Sequence, residues 1–179
     1  MKKIIWTLLL FTMTFASCES DDICDAGTPT TARVVIEFYN FNNPAQLRLV
    51  TNLKVVGAGV TDGIVFVPNA DPASDRFFFN ETKIQIPLKI DQNVTTYSFI
   101  LNAKAANPIT DVLKFTYTRT NEYVSRACGF RTFFNFNNNP NSLSVNNITG
   151  VTSGNWIRDI QILKQTINDE TTTHVKIFF

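Results

Sequence analysis

Short segments in which apolar and polar residues alternate restrict the fold of this chain more than any other feature. Residues 83–90 show the pattern most clearly, because Ile84, Ile86, Leu88 and Ile90 alternate with Lys, Gln and Pro. Successive side chains of a β-strand point to opposite faces of the sheet, so these four would share one face. Similar alternating or β-rich segments lie at residues 33–39, 47–56, 97–101, 113–119, 129–136 and 174–179.

Turn-forming Asn, Gly and Pro residues separate these segments, and no window shows the sustained 3.6-residue period of a helix. About nine short strands at intervals of roughly 8–12 residues are typical of an antiparallel sandwich. We therefore predict an all-β, antiparallel β-sandwich, of which the immunoglobulin-like arrangement is one form; a closed β-barrel is the alternative. Two hairpins are expected, one joining residues 83–90 to 97–101 and the other turning near Thr120 and Asn121.

The composition indicates one folded domain with no affinity for nucleic acid. Apolar residues make up 44% of the 179 residues and charged residues 17%, which is enough apolar material for a packed core. Lys and Arg number 16 against 15 Asp and Glu. A protein that binds a phosphate backbone needs an excess of basic residues, so no nucleic-acid partner is expected.

The N-terminus has the order of regions found in a bacterial export signal. Lys2 and Lys3 precede an apolar run at residues 4–15, which is too short to span a bilayer as a helix, since that needs about 20 residues. Two small residues then precede Cys18. The arrangement resembles the bacterial lipobox, in which the cysteine is acylated and becomes the first residue after cleavage. It implies a lipoprotein signal peptide at residues 1–17 and lipidation of Cys18; an ordinary secretory signal beside a chance cysteine is the alternative.

An acidic tetrapeptide at residues 19–22 follows Cys18. It resembles the surface-export signal of lipoproteins in the Bacteroidota, which implies the outer leaflet of the outer membrane; the periplasmic face is the alternative. Two or more acyl chains hold a protein stably at a membrane. We therefore expect residues 18–31 to form a lipidated acidic tether and residues 32–179 to form the sandwich domain, with the membrane as a partner through the lipid.

Two cysteines remain once Cys18 carries lipid. Cys24 and Cys128 lie 104 residues apart in the sequence. In an oxidising envelope such a pair favours a disulfide, which would keep the tether close to the middle of the domain. A loop of this size stabilises a fold by about 4.7 kcal/mol in the chain-entropy model. Two unpaired thiols are the alternative.

Few residues are suited to catalysis or metal binding. The one histidine, His174, lies in the C-terminal strand pattern, where a surface or edge-strand position is favoured over a catalytic role. No nucleophile motif or set of zinc ligands is present, and the aspartates of residues 62–75 lack the spacing of a calcium loop. We expect no enzyme, no cofactor and no metal. The carboxylates that a glycosidase would have to pair are Glu37, Glu81, Asp91, Asp111, Glu122 and Asp159.

Three aromatic residues are candidates for binding. Phe77 follows Arg76, Phe130 precedes Arg131, and Trp156 follows a Gly-Asn pair. Exposed rings beside arginines can stack on glycans or bind proteins. Buried rings would belong to the core of a chain that holds 16 Phe residues, so the two interpretations differ in the exposure that they predict.

Several short motifs run from one end of the chain to the other. They are Cys18 and Cys24 around the acidic spacer, residues 35–39 before an Asn-Pro turn, residues 125–129, and residues 174–178. Together they resemble an uncharacterised lipoprotein family of the Bacteroidota. The family implies a domain of unknown function with no catalytic residues to carry over.

These features predict a membrane-anchored envelope lipoprotein that is a non-catalytic binding or scaffolding module for an envelope protein partner. Binding of a glycan or another ligand at the cell surface is the alternative. A hydrolase with a carboxylate pair is a third hypothesis. The step from a β-sandwich to a binding module is an analogy at the level of the fold.

Overall fold

The computed structural model of the protein describes residues 23–28, 30–149 and 155–179. Their regular structure is β, apart from short 3-10 helices at Ala73–Phe77 and Pro140–Ser142. The all-β prediction is therefore confirmed for this part of the chain. The strands are β1 (Val34–Asn40), β2 (Asn43–Leu47), β3 (Leu53–Gly57), β4 (Phe78–Phe79), β5 (Lys83–Ile86), β6 (Val94–Leu101), β7 (Ile109–Thr116), β8 (Thr118–Ser125), β9 (Gly129–Asn135), β10 (Leu143–Val145), β11 (Ile148–Thr149), β12 (Asp159–Ile162), β13 (Thr166–Ile167) and β14 (Val175–Phe178).

The first sheet has the order β12–β14–β1–β2, and β5 also pairs with β1. Both β5 and β2 pair with β1 on the side away from β14. β5 pairs with the first half of β1, and β2 pairs with the last residues of β1. The β1–β14 pair is parallel, with Ile36 beside Val175 and Phe38 beside Ile177. These four side chains are buried, which suits the β-branched and aromatic residues that favour strands. Every other strand pair of the described sheets is antiparallel, as the sequence predicts.

The second sheet has the order β11–β10–β7–β6–β3–β4, and the third has the order β13–β9–β8. β6 follows the period of two closely, since Thr95, Tyr97, Phe99 and Leu101 are buried while the residues between them are half-buried. One face of this strand therefore meets the core.

One hydrophobic core joins the sheets. Val34 and Phe38 from the first sheet meet Phe99 and Phe115 from the second, and Phe134 from the third sheet extends the core. Complete burial of a large apolar side chain stabilises the fold by about 1.5–3 kcal/mol. The described strands form packed, open sheets rather than a closed barrel, so they are consistent with the predicted β-sandwich. Its immunoglobulin-like form stays a prediction.

The predicted hairpin between residues 83–90 and 97–101 is wrong. β5 pairs with β1 in the first sheet, whereas β6 lies in the second. β5 ends at Ile86 because the next residue, Pro87, has no N–H to donate to a neighbouring strand. The Tyr97 hydroxyl donates a hydrogen bond of 2.7 Å to the Pro87 carbonyl, and burial raises the pKa of Tyr97 to about 12. Side chains thus hold the segment where the sheet ladder stops.

The predicted turn near Thr120 and Asn121 is also wrong. β8 runs through both residues and pairs with β9 rather than with β7. The chain changes sheets at Tyr117, whose ring packs edge-to-face on Phe134 with 5.1 Å between the centroids. The hairpin turn comes later, before Gly129, where a φ of 69° favours glycine.

Several sequence predictions lie outside the described residues. They include the signal peptide at residues 1–17, the lipidation of Cys18 and the acidic tetrapeptide. The domain boundary after residue 31 stays a prediction; Ala32 is buried in the core. In the described part of the chain, no helix is long and apolar enough to cross a bilayer.

Candidate functional site

A groove opens at the end of the sandwich where β1, β6 and β14 terminate. Its volume is about 490 Å³. Phe41 and Phe179 follow β1 and β14, while Leu101 ends β6 and Ile109 begins β7, so both large sheets contribute to the lining. Phe41 is 49% exposed and Ile109 is 40% exposed. Apolar side chains that stay open to solvent in a groove are typical of a binding surface.

Two arginines border this groove. The Arg48 guanidinium lies over the Phe179 ring, 4.3 Å from its centroid, and donates a hydrogen bond of 2.6 Å to a main-chain oxygen of Phe179. Arg158 is exposed, and no side-chain hydrogen bond or ion pair engages its guanidinium within the described residues. The described residues that line the groove include no acidic side chain. Arg48 is engaged by Phe179, so Arg158 is the described lining cation that is left to meet an anionic group of a ligand, beside the apolar part of the lining.

Trp156 separates the groove from the core. Its ring centroid lies 6.4 Å from that of Phe38 and 5.3 Å from that of Phe179. Its Nε1–H donates a hydrogen bond of 3.1 Å to the Phe99 carbonyl. Because Phe38 belongs to the first sheet and Phe99 to the second, the indole connects the two sheets and forms one wall of the groove.

A buried carboxylate holds Trp156 in place. Asp111 is 0% exposed. Its Oδ2 accepts hydrogen bonds from the N–H groups of Trp156 and Ile157 at 2.8 and 2.9 Å. Its Oδ1 accepts from the Asn155 N–H and the Asn146 amide, both at 2.6 Å. A charged group can stay buried when donors surround it, so Asp111 fixes the backbone beside the groove.

The disulfide lies at the other end of the sandwich. Cys24 and Cys128 are bonded, as predicted, with their Cα atoms 4.9 Å apart. Cys128 lies at the tip of the β8–β9 hairpin. The Thr132 N–H donates a hydrogen bond of 2.9 Å to Thr31 Oγ1. The Cys24 end and Thr31 are therefore both attached to the β8–β9 hairpin, the first at its turn and the second at β9.

The length of β1 separates the groove from the disulfide. β1 begins shortly after Thr31 and ends immediately before Phe41. Its seven residues rise about 20 Å. The groove and the hairpin tip thus lie at opposite ends of the sandwich.

The three aromatic residues predicted for binding have different surroundings. Phe77 is half-buried between the cations of Lys54 and Arg76, at 5.6 and 4.7 Å from its ring centroid. Phe130 is 68% exposed at the hairpin tip, whereas Trp156 is only 5% exposed. The three rings therefore do not form one patch. Trp156 lines the groove and Phe130 lines a separate space of about 300 Å³ beside the disulfide.

His174 is not at the surface or on an edge strand, in contrast to the prediction. It is 0% exposed, next to β14, which lies between β12 and β1. Its Nδ1 accepts the Val35 N–H at 3.0 Å, so the neutral ring carries its proton on Nε2. Nε2 has no hydrogen-bond partner among the described residues.

Burial controls the charge of His174. It lowers the pKa of the imidazole to about 4, although two acidic side chains, Asp169 and Glu170, favour the charged form. Lys164 and Lys83 oppose that charge, but less strongly than burial does. The ring is therefore neutral at neutral pH and serves as a buried acceptor for the backbone of β1.

The carboxylates named for a glycosidase pair do not face one another where the structure gives their contacts. They bind neighbouring protein groups instead. Glu37 lies on the outward face of β1, with Lys83 Nζ at 3.2 Å and a hydrogen bond of 2.9 Å from the Tyr39 hydroxyl. Glu122 pairs with Arg131 in the β8–β9 hairpin. Among the described residues, no group of three or more His, Cys, Asp or Glu side chains is placed to hold a metal ion.

Comparison with models of known protein families gives a match for this chain. Residues 52–179 match the model of a family described as "Family of unknown function (DUF6452)". The chain belongs to the DUF6452 family. The matched part of this DUF6452 protein begins just before β3 and includes most of the groove and the whole hairpin. No curated protein and no solved structure matches the chain.

Sequence analysis does not identify the groove of this DUF6452 protein. Its lining comes from segments near residues 41–48, 101–109, 155–158 and 179, which only the folded chain brings together. Trp156 is the one lining residue that the sequence singles out, and Arg158 follows two positions later.

Proposed function

We propose that this chain is a lipid-anchored, non-catalytic binding module of a bacterial outer membrane, attached through Cys18 and presenting the groove to an envelope protein partner. The lipobox-like N-terminus supports the anchor. The acidic tetrapeptide supports a place among the lipoproteins of the Bacteroidota and on the cell surface, with the periplasmic face as the alternative.

The observation that carries the proposal is the unpaired guanidinium of Arg158 at the rim of an apolar groove. Arginine and exposed aromatic residues are enriched where binding energy concentrates. Arg158 adjoins Phe41 and Ile109 in the lining, and no described acidic side chain neutralises it there. A protein segment with a carboxylate beside an apolar side chain complements both features.

The buried titratable groups favour binding over catalysis. Both oxygens of Asp111 accept hydrogen bonds from neighbouring protein groups, and Nδ1 of His174 accepts one from Val35. Both side chains are 0% exposed. A catalytic acid or base needs to reach its substrate within hydrogen-bond distance, and these two groups lie below the surface.

Glycan binding is the second candidate, and one feature of the groove favours it. The side chains of Asn42 and Asn155 lie in the lining with the half-exposed ring of Phe41. Amides and an aromatic face are the groups that recognise sugars in many binding sites. This support comes from the groove, because Phe77 and Phe130 lie elsewhere.

Photo-crosslinking in cells tests the proposal. The lipidated protein carries p-benzoylphenylalanine in place of Phe41, with the same probe at Val65 as a control, since Val65 is 44% exposed but outside the groove lining. We expect a protein adduct of defined mass from position 41 and none from position 65. An Arg158→Glu change should reduce the adduct about tenfold, which corresponds to a loss of ~1.4 kcal/mol. Identical adducts from both positions would contradict the proposal, and a polysaccharide adduct would favour the glycan candidate.

A further inference from the structure

We infer that the tip of the β8–β9 hairpin lies against the lipid surface that holds Cys18, with the side chains of Ile23, Tyr123 and Phe130 in the interfacial region of the bilayer. The inference rests on the proposed lipid anchor. It adds the face of the domain that meets the membrane, which the anchor alone does not determine.

The short tether limits how far the hairpin tip can move from the lipid. Cys24 follows Cys18 by six residues. A fully extended chain spans at most 3.3–3.6 Å per residue, so Cys24 can lie only about 20 Å from the lipidated cysteine. The disulfide extends the same limit to Cys128 and therefore to the hairpin tip. Without the bridge, the tether would run on to Thr31 before it met β9.

Apolar side chains at this tip remain open to solvent. Ile23 is 82% exposed, Phe130 is 68% exposed and Tyr123 is 56% exposed. Tyr123 and Phe130 are cross-strand neighbours, and their rings pack edge-to-face with 5.4 Å between the centroids. Aromatic rings, above all those with a polar group, prefer the boundary between lipid and water.

The charges of β8 and β9 near the tip are compatible with a lipid surface, while the acidic residues 19–22 and Asp25 belong to the tether beside it. Glu122 is paired with Arg131, so the strands that carry the two rings present no unneutralised carboxylate of their own. Arg126 is exposed in the turn. A long basic side chain at this position can reach lipid phosphates while its methylene groups contact the apolar boundary.

The orientation has a consequence for the groove. The groove lies at the far end of β1, about 20 Å or more from the hairpin segment that meets Thr31. A hairpin tip at the lipid surface therefore directs Phe41 and Arg158 away from the membrane, towards a partner that approaches from the aqueous side.

Fluorescence quenching by brominated lipids tests the orientation. The lipidated protein is reconstituted into vesicles of phosphatidylethanolamine and phosphatidylglycerol whose acyl chains carry bromine. Removal of residues 1–17 leaves Trp156 as the one native tryptophan, and it is buried. A Phe130→Trp variant reports on the tip, and a Phe41→Trp variant is the matched control at the groove. Both replaced rings are partly exposed, so neither change disturbs the core.

We expect the added fluorescence of Phe130→Trp to be largely lost in brominated vesicles, while Phe41→Trp is quenched no more than the parent. Flotation of the vesicles distinguishes a failure of the lipid anchor from a failure of the proposed orientation. Protein that floats with the vesicles but shows equal, weak quenching at both positions would overturn the orientation and leave the anchor intact. Protein that does not float would overturn both the anchor and the orientation.

Discussion

His174 is the only histidine of the chain, and its burial couples its protonation to the stability of the fold. The folded state holds the imidazole pKa near 4, whereas an unfolded chain has the ordinary value of about 6.5. As the pH falls, the unfolded state binds the proton first. The stability due to neutral His174 is therefore complete above about pH 6.5 and is lost as the pH falls towards 4.

Urea denaturation at two pH values measures this coupling. Between pH 7.5 and pH 5 we expect the free energy of unfolding to fall by about 2 kcal/mol. A His174→Gln variant, which retains an acceptor for the Val35 N–H, should lose most of that pH dependence, whatever its absolute stability. An unchanged pH dependence in the variant would show that other groups cause it.

We expect Asp111 to stabilise the fold through the backbone beside the groove. Asp111→Ala removes the acceptor from three backbone N–H groups and one amide. Leaving buried donors unpaired should reduce the free energy of unfolding by about 3–5 kcal/mol. Asp62→Ala, at an exposed loop position, should change it by less than about 0.5 kcal/mol. Equal chemical denaturation curves for the two variants would mean that Asp111 is not the anchor described here.

We expect the disulfide at the β8–β9 hairpin to stabilise the fold. In a Cys18→Ala background, a Cys24→Ser, Cys128→Ser double variant should lose about 2–4 kcal/mol, because its unfolded chain is no longer crosslinked. Thermal melting monitored by circular dichroism measures the change. Treatment of the parent with a reductant should lower its Tm to that of the double variant. Equal Tm values for the oxidised parent and the double variant would contradict a stabilising bridge.

The sequence predicts individual strands better than their partners. The alternation at residues 83–86 and 97–101 correctly indicates β5 and β6, because side-chain direction in a strand is a local property. Their pairing is not local, and the polar residues 91–93 between the two segments are equally compatible with a hairpin and with a passage between sheets. The parallel pairing of β1 with β14 joins Ile36 to Val175, a contact that no local pattern reveals.

The same limit applies to the candidate sites: features set by the local sequence are predicted, and features that depend on contacts between distant segments are not. Cysteine spacing and the expected oxidising compartment were enough to predict the Cys24–Cys128 bridge. Phe130 is exposed because it lies at the hairpin tip, and Trp156 is buried because Phe38 and Phe179 pack against it, which the local sequence does not show. The groove depends on four separate segments and on Asp111, whose importance follows from its burial and not from its sequence neighbours.

The whole molecule has two ends with different chemistry. One end holds the disulfide, the hairpin tip and the start of the described chain; the other holds the groove with Phe41 and Arg158. β1 runs from one end of the sandwich to the other and so sets the distance between them. In this account the lipid fixes the first end, and the partner meets the second.

Intact-mass spectrometry of the full-length protein, purified from the membranes of cells that express it, tests whether Cys18 carries lipid. We predict a mature chain that begins at Cys18 and carries the added mass of two or three acyl chains, and a Cys18→Ala variant that no longer sediments with membranes. A mature chain with another N-terminus and no acyl mass, or a Cys18→Ala variant that still sediments with membranes, would contradict the account.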